Sequence, residues 1–295
     1  MTTKWKICLL NDQQKKQAKE LANELNINEI LAQLLVQRGL GTFADARDFF
    51  RPQLSKLHDP FLMKDMDKAV ERLNQALAQK EKILVYGDYD VDGTTAVALV
   101  YKFLKQFHSE IDYYLPDRYN EGYGISYAGI DYAAENGFSL VIALDCGIKA
   151  VEKMEYAREK GVEFIICDHH TPDDEIPRAV AVLDPKRNDC EYPYKHLCGC
   201  GVGFKLMQAF SQSNGIDEAT HLMPLLDLVV VSIASDIVPI TEENRILAYY
   251  GLRQLNTNPC MGLKAIIDIT GLADREILVS DIVFKIGPRI NASGR

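Results

Sequence analysis

Three aspartates, Asp88, Asp90 and Asp92, alternate along the segment that ends at Gly93, directly behind the apolar run 83–86. Side chains of an extended segment point to alternate faces, so alternate carboxylates can converge on one point. Their mutual repulsion costs free energy unless a cation neutralises it. The motif alone is compatible with a solvated loop or a divalent metal site. A calcium helix-loop-helix is disfavoured, because an apolar strand precedes the motif and no glutamate follows at the required spacing.

Downstream apolar segments also end in residues that can bind metal. Several strands that are each followed by a carboxylate or imidazole side chain at the same end rarely occur by chance. Ligands bind in open α/β sheets in the crevice outside the carboxyl ends of the strands. The sequence therefore predicts a metal site there. The segments are 140–144 before Asp145-Cys146-Gly147, 164–167 before Asp168-His169-His170, and a fourth apolar element, 229–234, before Ser235-Asp236.

The spacing of apolar residues predicts three regions: a helical N-terminal region over 1–78, an α/β region over 79–240, and a helical segment over 241–295. Thr42 is a candidate cap for a short N-terminal helix. Strands that alternate with helices predict a parallel sheet with flanking helices. The predicted strands lie near 82–87, 111–115, 139–145, 163–168 and 180–184, and the predicted helices between them near 94–107, 126–136 and 149–160.

Composition excludes several classes of protein. The 295 residues are 47% hydrophobic, enough for a full core. No uninterrupted apolar run reaches the length of a membrane span, and residues 1–6 lack a signal-peptide pattern, so a cytoplasmic protein is expected. Cys198-Gly199-Cys200 lacks the spacing of a zinc finger, and the glycines indicate close packing at a helix start. The formal charge of −9 argues against indiscriminate nucleic-acid binding but not against a nuclease with a locally basic groove.

The four motifs together resemble the DHH phosphoesterase superfamily, which is named for the triplet seen here as Asp168-His169-His170. Within it, the segments 116–124 and 287–295 are similar to the RecJ family of bacterial exonucleases. One departure is Tyr86, which stands where small-molecule members of the superfamily place a metal-binding histidine.

The resemblance implies two manganese or magnesium ions. Asp145 would bridge them, and Asp88 and Asp168 would either be additional ligands or hold waters and His169 in position. His170 would hydrogen-bond the scissile phosphate. The implied metal ligands are Asp90, Asp92, Asp145, His169 and Asp236.

Arginines are the candidates for phosphate recognition, because a planar guanidinium binds phosphate with two parallel hydrogen bonds. Arg118 follows a predicted strand in a loop rich in glycine and tyrosine. Arg289, Asn291 and Arg295 form a second candidate cluster. Each arginine could instead form a structural salt bridge. Tyr119 and Tyr123 could stack on bases or pack in the core.

The resemblance implies a monomeric 5′-to-3′ exonuclease that releases mononucleotides from single-stranded DNA in repair and recombination, beside single-strand-binding protein and a helicase. An oligoribonucleotide or cyclic-dinucleotide phosphodiesterase is the first alternative, and an inactive scaffold with the same fold is the second. Members of the RecJ family continue past the segment that ends here at Arg295 into a further domain. The segment 241–295 is therefore expected to lead toward such a domain.

Overall fold

The computed structural model describes residues 8–293. The residue Arg295, predicted to bind substrate, and the N-terminal residues 1–6 lie outside them. The chain forms two compact units, Met1–Lys56 and Leu57–Arg295. The sequence predicts a boundary near residue 78 instead, whereas the helix Met66–Gln79 belongs to the second unit.

The first unit contains α1 (Asp12–Leu25), α2 (Glu29–Gln37) and α3 (Phe43–Phe50). Their apolar faces enclose a small core that includes Leu21 and Leu35. Thr42 caps α3 as predicted, because its hydroxyl accepts a hydrogen bond from the backbone N–H of Asp45.

The second unit is built on a five-stranded parallel sheet with the strand order β2-β1-β3-β4-β5. All five strands lie where the apolar runs predict them, and the predicted α/β fold is confirmed. The strands are β1 (Lys82–Gly87), β2 (Ile111–Tyr114), β3 (Phe138–Leu144), β4 (Glu163–Cys167) and β5 (Ala181–Leu183).

Helices cover both faces of this sheet. Two of them, α6 (Tyr127–Glu135) and α7 (Val151–Glu159), pack with the core that contains Leu84, Val141 and Ile166. On the other face, α5 (Val91–Leu104) and α8 (Gly199–Asn214) contact the strands. The helices of the second unit are α4 (Met66–Gln79), α5 (Val91–Leu104), α6 (Tyr127–Glu135), α7 (Val151–Glu159), α8 (Gly199–Asn214), α9 (Glu218–His221), α10 (Leu226–Ser235), α11 (Glu242–Thr257), α12 (Met261–Ile269), α13 (Val279–Asp281) and α14 (Gly287–Ser293).

The fourth apolar element is the buried helix α10, not a further strand. A short apolar run has no periodicity that separates a buried helix from a buried strand. The window Glu218–Ser235 has the length and hydropathy of a membrane span, but 61% of it is buried within the protein. It is divided among α9, a 3₁₀ turn and α10, as expected for a core segment.

The extended conformation predicted for 88–92 is wrong beyond Asp90. Asp90 is the N-cap of α5, its carboxylate accepts a hydrogen bond from the N–H of Gly93, and Asp92 already lies in the first turn. A Cβ at Gly93 would come within 2.4 Å of the carbonyl oxygen of Asp88. Glycine therefore lets the helix start against the strand end, and this tight turn carries the aspartates toward the edge of the sheet.

Candidate metal centre

Three carboxylates surround the imidazole of His169 at the carboxyl edge of the sheet. Its Nε2 atom lies 3.1 Å from Asp145 Oδ1 and 3.6 Å from a carboxylate oxygen of both Asp92 and Asp236. These side chains come from the end of β3, the start of α5, the end of α10 and the residues after β4. Residues far apart in the sequence thus deliver four potential metal ligands to one point.

Asp145 follows β3 in the left-handed region, with φ of 59°. Aspartate tolerates this conformation better than most residues do. This residue is 1% exposed, and its side chain packs against Gly199, where a Cβ would lie 2.5 Å from the Cβ of Asp145. Glycine at the start of α8 therefore makes room for the carboxylate.

Asp92 is held by the N-terminus of α8. Its carboxylate oxygens accept hydrogen bonds of 2.7 Å from the backbone N–H groups of Gly199 and Cys200 and from the hydroxyl of Ser232. The positive end of a helix dipole favours an anion at this position. The predicted helix start at Cys198-Gly199-Cys200 is confirmed, and it fixes Asp92 in the site.

Asp168 holds His170 rather than the ring of His169. Its Oδ1 atom lies 2.7 Å from Nδ1 of His170 and accepts the backbone N–H of His169, while Oδ2 accepts the N–H of Ile148. The sequence does not predict this contact with the ring of His170. The hydrogen bond to Asp168 raises the pKa of His170, which favours the imidazolium form.

The remaining residues predicted for the site have different contacts. Asp88 accepts the N–H of Gly124 through one oxygen. The side chain of Asp90 caps α5. Burial raises the pKa of Asp145, and the charges of Asp92 and Asp90 raise it further. Arg289 lies on α14 and donates to the carbonyl of Lys285, so the described contacts do not bring it to the carboxylates. The Oδ1 atom of Asn291 is buried, with no hydrogen-bond partner among residues 8–293.

Tyr86 has a structural role. Its hydroxyl donates to the carbonyl of Gly124 and accepts the N–H of Ser126, and its ring stacks on Tyr114. The position that holds a histidine ligand in small-molecule members of the superfamily therefore supports the loop after β2 here.

A chain of ring contacts connects Arg118 with His170. The guanidinium lies over the ring of Tyr89 at 5.0 Å, and Tyr89 meets Tyr123 edge to face. The hydroxyl of Tyr123 is 3.2 Å from Nε2 of His170. Tyr123 thus lies beside the metal centre, and Arg118 is connected to it through Tyr89, whereas Tyr119 is 76% exposed.

The chemistry of the residues fits a divalent cation. Within the described part of the chain, hydrogen-bond partners are missing for both ring nitrogens of His169, for Oδ1 of Asp145 and for Oδ2 of Asp88. Burial lowers the pKa of His169, so its ring is neutral and can bind metal. Oxygen ligands combined with one imidazole suit manganese or magnesium.

Comparison with known proteins identifies the family of this chain. The family described as "DHH family, N-terminal domain" matches residues 82–233. The chain belongs to the DHH family. Among curated relatives, this DHH protein is 40% identical over 277 residues to the single-stranded-DNA-specific exonuclease RecJ of Bacillus subtilis, and 38% identical over 240 residues to that of Escherichia coli. These alignments cover 94% and 78% of the chain but only 34% and 42% of the relatives.

Solved structures of RecJ have the same fold. A crystal structure of exonuclease RecJ bound to manganese matches with a TM-score of 0.72 and 29% identity, over 82% of this chain and 59% of that one. RecJ from Thermus thermophilus in complex with Mn²⁺ matches with a TM-score of 0.78 and 26% identity, over 94% of this chain and 39% of that one. The resemblance of the DHH protein to RecJ is therefore confirmed in sequence and fold.

Manganese should stabilise this protein more at pH 8 than at pH 5.5. Burial and nearby carboxylates raise the pKa of Asp236 to about 7, and burial raises that of Asp88 to about 6. Both groups accept protons as the pH falls through these values, and protons compete with a bound cation. Differential scanning calorimetry with and without Mn²⁺ measures the increment in Tm. An increment that is equal at the two pH values would contradict this linkage.

Proposed function

We propose that the protein is a metal-dependent phosphodiesterase that removes nucleotides from the 5′ end of single-stranded DNA. The observation that carries the proposal is the convergence of Asp92, Asp145 and Asp236 on the unpartnered Nε2 of His169. Such a cluster of buried carboxylates is unfavourable without a cation. The RecJ relatives, which are named as single-stranded-DNA-specific exonucleases, indicate the substrate class.

In this proposal, two manganese or magnesium ions would be held by the predicted ligands Asp90, Asp92, Asp145, His169 and Asp236. A bound pair of such ions would activate a water and stabilise the departing oxygen. The remaining roles belong to the chain's own groups. The N-terminus of α8 holds Asp92, and Gly199 leaves space for Asp145.

The residues beside the carboxylates would bind the substrate. The carboxylate of Asp168 orients His170, which is half-exposed and carries a proton more readily than an ordinary histidine. Its Nε2–H can therefore donate to a phosphate oxygen, in exchange for the contact with Tyr123. Arg118, stacked on Tyr89, would bind the terminal phosphate.

The chain spans less than half the length of these curated relatives, so its product, cellular process and partners are also proposed. We infer release of 5′-mononucleotides in DNA repair and recombination in the bacterial cytoplasm. Single-strand-binding protein and a helicase would be the partners, and the protein would act as a monomer.

The direct test uses one single-stranded DNA carrying a 5′ phosphate, labelled at either the 5′ or the 3′ end, with Mn²⁺. A 5′ exonuclease releases the 5′ label at once as a mononucleotide and shortens the 3′-labelled strand progressively. Progressive shortening of the 5′-labelled strand would reverse the polarity. Cleavage of a short oligoribonucleotide or a cyclic dinucleotide with the DNA left intact would favour the alternative substrates. Failure to cleave any of these would favour the inactive scaffold.

Replacing Arg118 with alanine should raise KM for a 5′-phosphorylated strand and change little for a 5′-hydroxyl strand. A charge-assisted hydrogen bond to phosphate contributes about 1.5–3 kcal/mol, or roughly 10- to 150-fold in binding. Initial rates on the two strands provide the comparison. R253A is the matched control, because Arg253 also stacks on a tyrosine, Tyr249, within α11. Equal losses on both strands would indicate a structural role for Arg118.

A further inference from the structure

Charged residues also follow the edge strand β5, and the sequence analysis does not connect them with the site. They are Asp184, Lys186 and Arg187. Leu183 pairs with Cys167 of β4, and its carbonyl accepts the N–H of Asp168 at 2.9 Å. The turn after β5 therefore lies beside Asp168-His169-His170 at the same edge of the sheet. It borders the metal centre on the side opposite β2, because β2 and β5 are the two edges of the sheet.

Buried side chains fix the backbone of this turn. Asp184 is fully buried, and its Oδ1 atom accepts the backbone N–H of Lys186 at 2.7 Å. The next residue, Arg187, is also buried, and its guanidinium donates to Asp65, to Asp189 and to the carbonyl of Val182. The backbone is therefore held firmly on both sides of Lys186.

The side chain of Lys186 is half-buried, and no carboxylate pairs with it among residues 8–293. Its positive charge nevertheless affects the pKa values of two residues in the metal centre. Burial lowers the pKa of His169, and the charges of His170 and Lys186 lower it further. Burial raises the pKa of Asp236, and the same two charges oppose that rise. The pairing of β5 with β4 and the effect of its charge thus place Lys186 next to the residues after β4.

We propose that Lys186 binds an internal phosphate of the substrate strand, next to the scissile phosphate. This rests on the proposed function. Arg118 follows β2 and Lys186 follows β5, so one cation lies on each side of the ligands carried by β1, β3 and β4. Two cations that flank a cleavage site fix both the position and the direction of a polyanionic strand. Arg118 would recognise the terminal phosphate, and Lys186 would contact the backbone of any strand.

The test compares K186M, K186R and the wild type. Fluorescence anisotropy of a labelled single strand without divalent cation, from about 50 to 200 mM salt, gives affinity and its salt dependence. K186M should weaken binding roughly tenfold and reduce the slope of log K against log salt by about 0.7, the value for one phosphate contact on a single strand. K186R should retain the slope. K264M is the control, since Lys264 is an exposed lysine on α12.

Steady-state rates with Mn²⁺ add a second measurement. K186M should raise KM equally for 5′-phosphate and 5′-hydroxyl strands and leave kcat within about twofold, unlike R118A. An unchanged salt slope, or a loss confined to kcat, would overturn the proposal for Lys186 even if the wild type digests DNA. If the wild type binds but does not hydrolyse the strand, the proposed function fails, while the anisotropy still decides whether Lys186 contacts phosphate.

Discussion

Replacing Asp145 with asparagine is expected to lower Mn²⁺-dependent hydrolysis at least about 10³-fold. Groups that only orient metal ligands typically contribute 10- to 100-fold, and a carboxylate at the centre of the ligand set should contribute more. Asparagine keeps the shape of the side chain but removes the charge that a cation requires. Initial rates on 5′-labelled single strands at saturating Mn²⁺ measure the loss.

The same substitution should stabilise the metal-free fold at pH 8. Burial and the charges of Asp92 and Asp90 raise the pKa of Asp145 well above its ordinary value. A carboxyl whose pKa is raised on folding destabilises the native state progressively as the pH rises above the unfolded-state value. The gain of D145N over the wild type should therefore be present at pH 8 and absent near pH 4.

Urea unfolding at the two pH values tests this linkage, and D274N is the control because Asp274 is exposed. A variant that is less stable than the wild type at pH 8 without metal would show that Asp145 is not repelled by its neighbours. A variant that hydrolyses DNA at the wild-type rate would remove Asp145 from the proposed ligand set.

Apolar runs bounded by aspartate or glycine made the sheet predictable. Buried parallel strands read as continuous hydrophobic segments, so β1, β3 and β4 stand out, and the residues after them must meet at one edge of the sheet. The juxtaposition of Asp145 with His169 follows from this rule alone. Applied to β5, the rule would also have identified Asp184 and Lys186.

The contacts that hold Asp92 and Asp168 in the site could not be predicted in the same way. Asp92 is held by the N–H groups of Gly199 and Cys200, and a backbone donor has no signature in the sequence. Ser232, on α10, lies 140 positions further along the chain. Its contact depends on how α10 packs against α5, which short-range periodicity does not reveal. The contact between the carboxylate of Asp168 and the ring of His170 likewise depends on the orientation of one side chain.

A buried ion pair is the feature that sequence reasoning missed most completely. Lys205 on α8 and Glu243 on α11 are 0% and 1% exposed, and their charged atoms lie 2.8 Å apart. The hydroxyl of Tyr192 donates to Glu243, while Lys205 donates to the carbonyl of His58. In a sequence, a lysine or glutamate on a helix is read as a solvent-exposed residue.

Removing only the lysine, as in K205M, should destabilise the second unit by about 3–5 kcal/mol, because Glu243 then remains buried without its counter-ion. The free energy of unfolding should change much less in K16M. This variant removes the exposed pair between Lys16 and Glu20 and should lose less than about 1 kcal/mol. Urea unfolding of each variant gives the free energies. A loss in K205M no larger than that in K16M would show that the buried pair contributes little.

The double variant K205M/E243L separates the two reasons for such a loss. If the uncompensated charge of Glu243 causes most of it, removing that charge should recover a large part of the stability, since apolar side chains can replace a buried ion pair at little cost. If the hydrogen bonds to Tyr192 and His58 matter more, the double variant should be less stable than K205M. Because α8 also supplies the N–H groups that hold Asp92, the second outcome should also reduce the Mn²⁺-dependent rise in Tm.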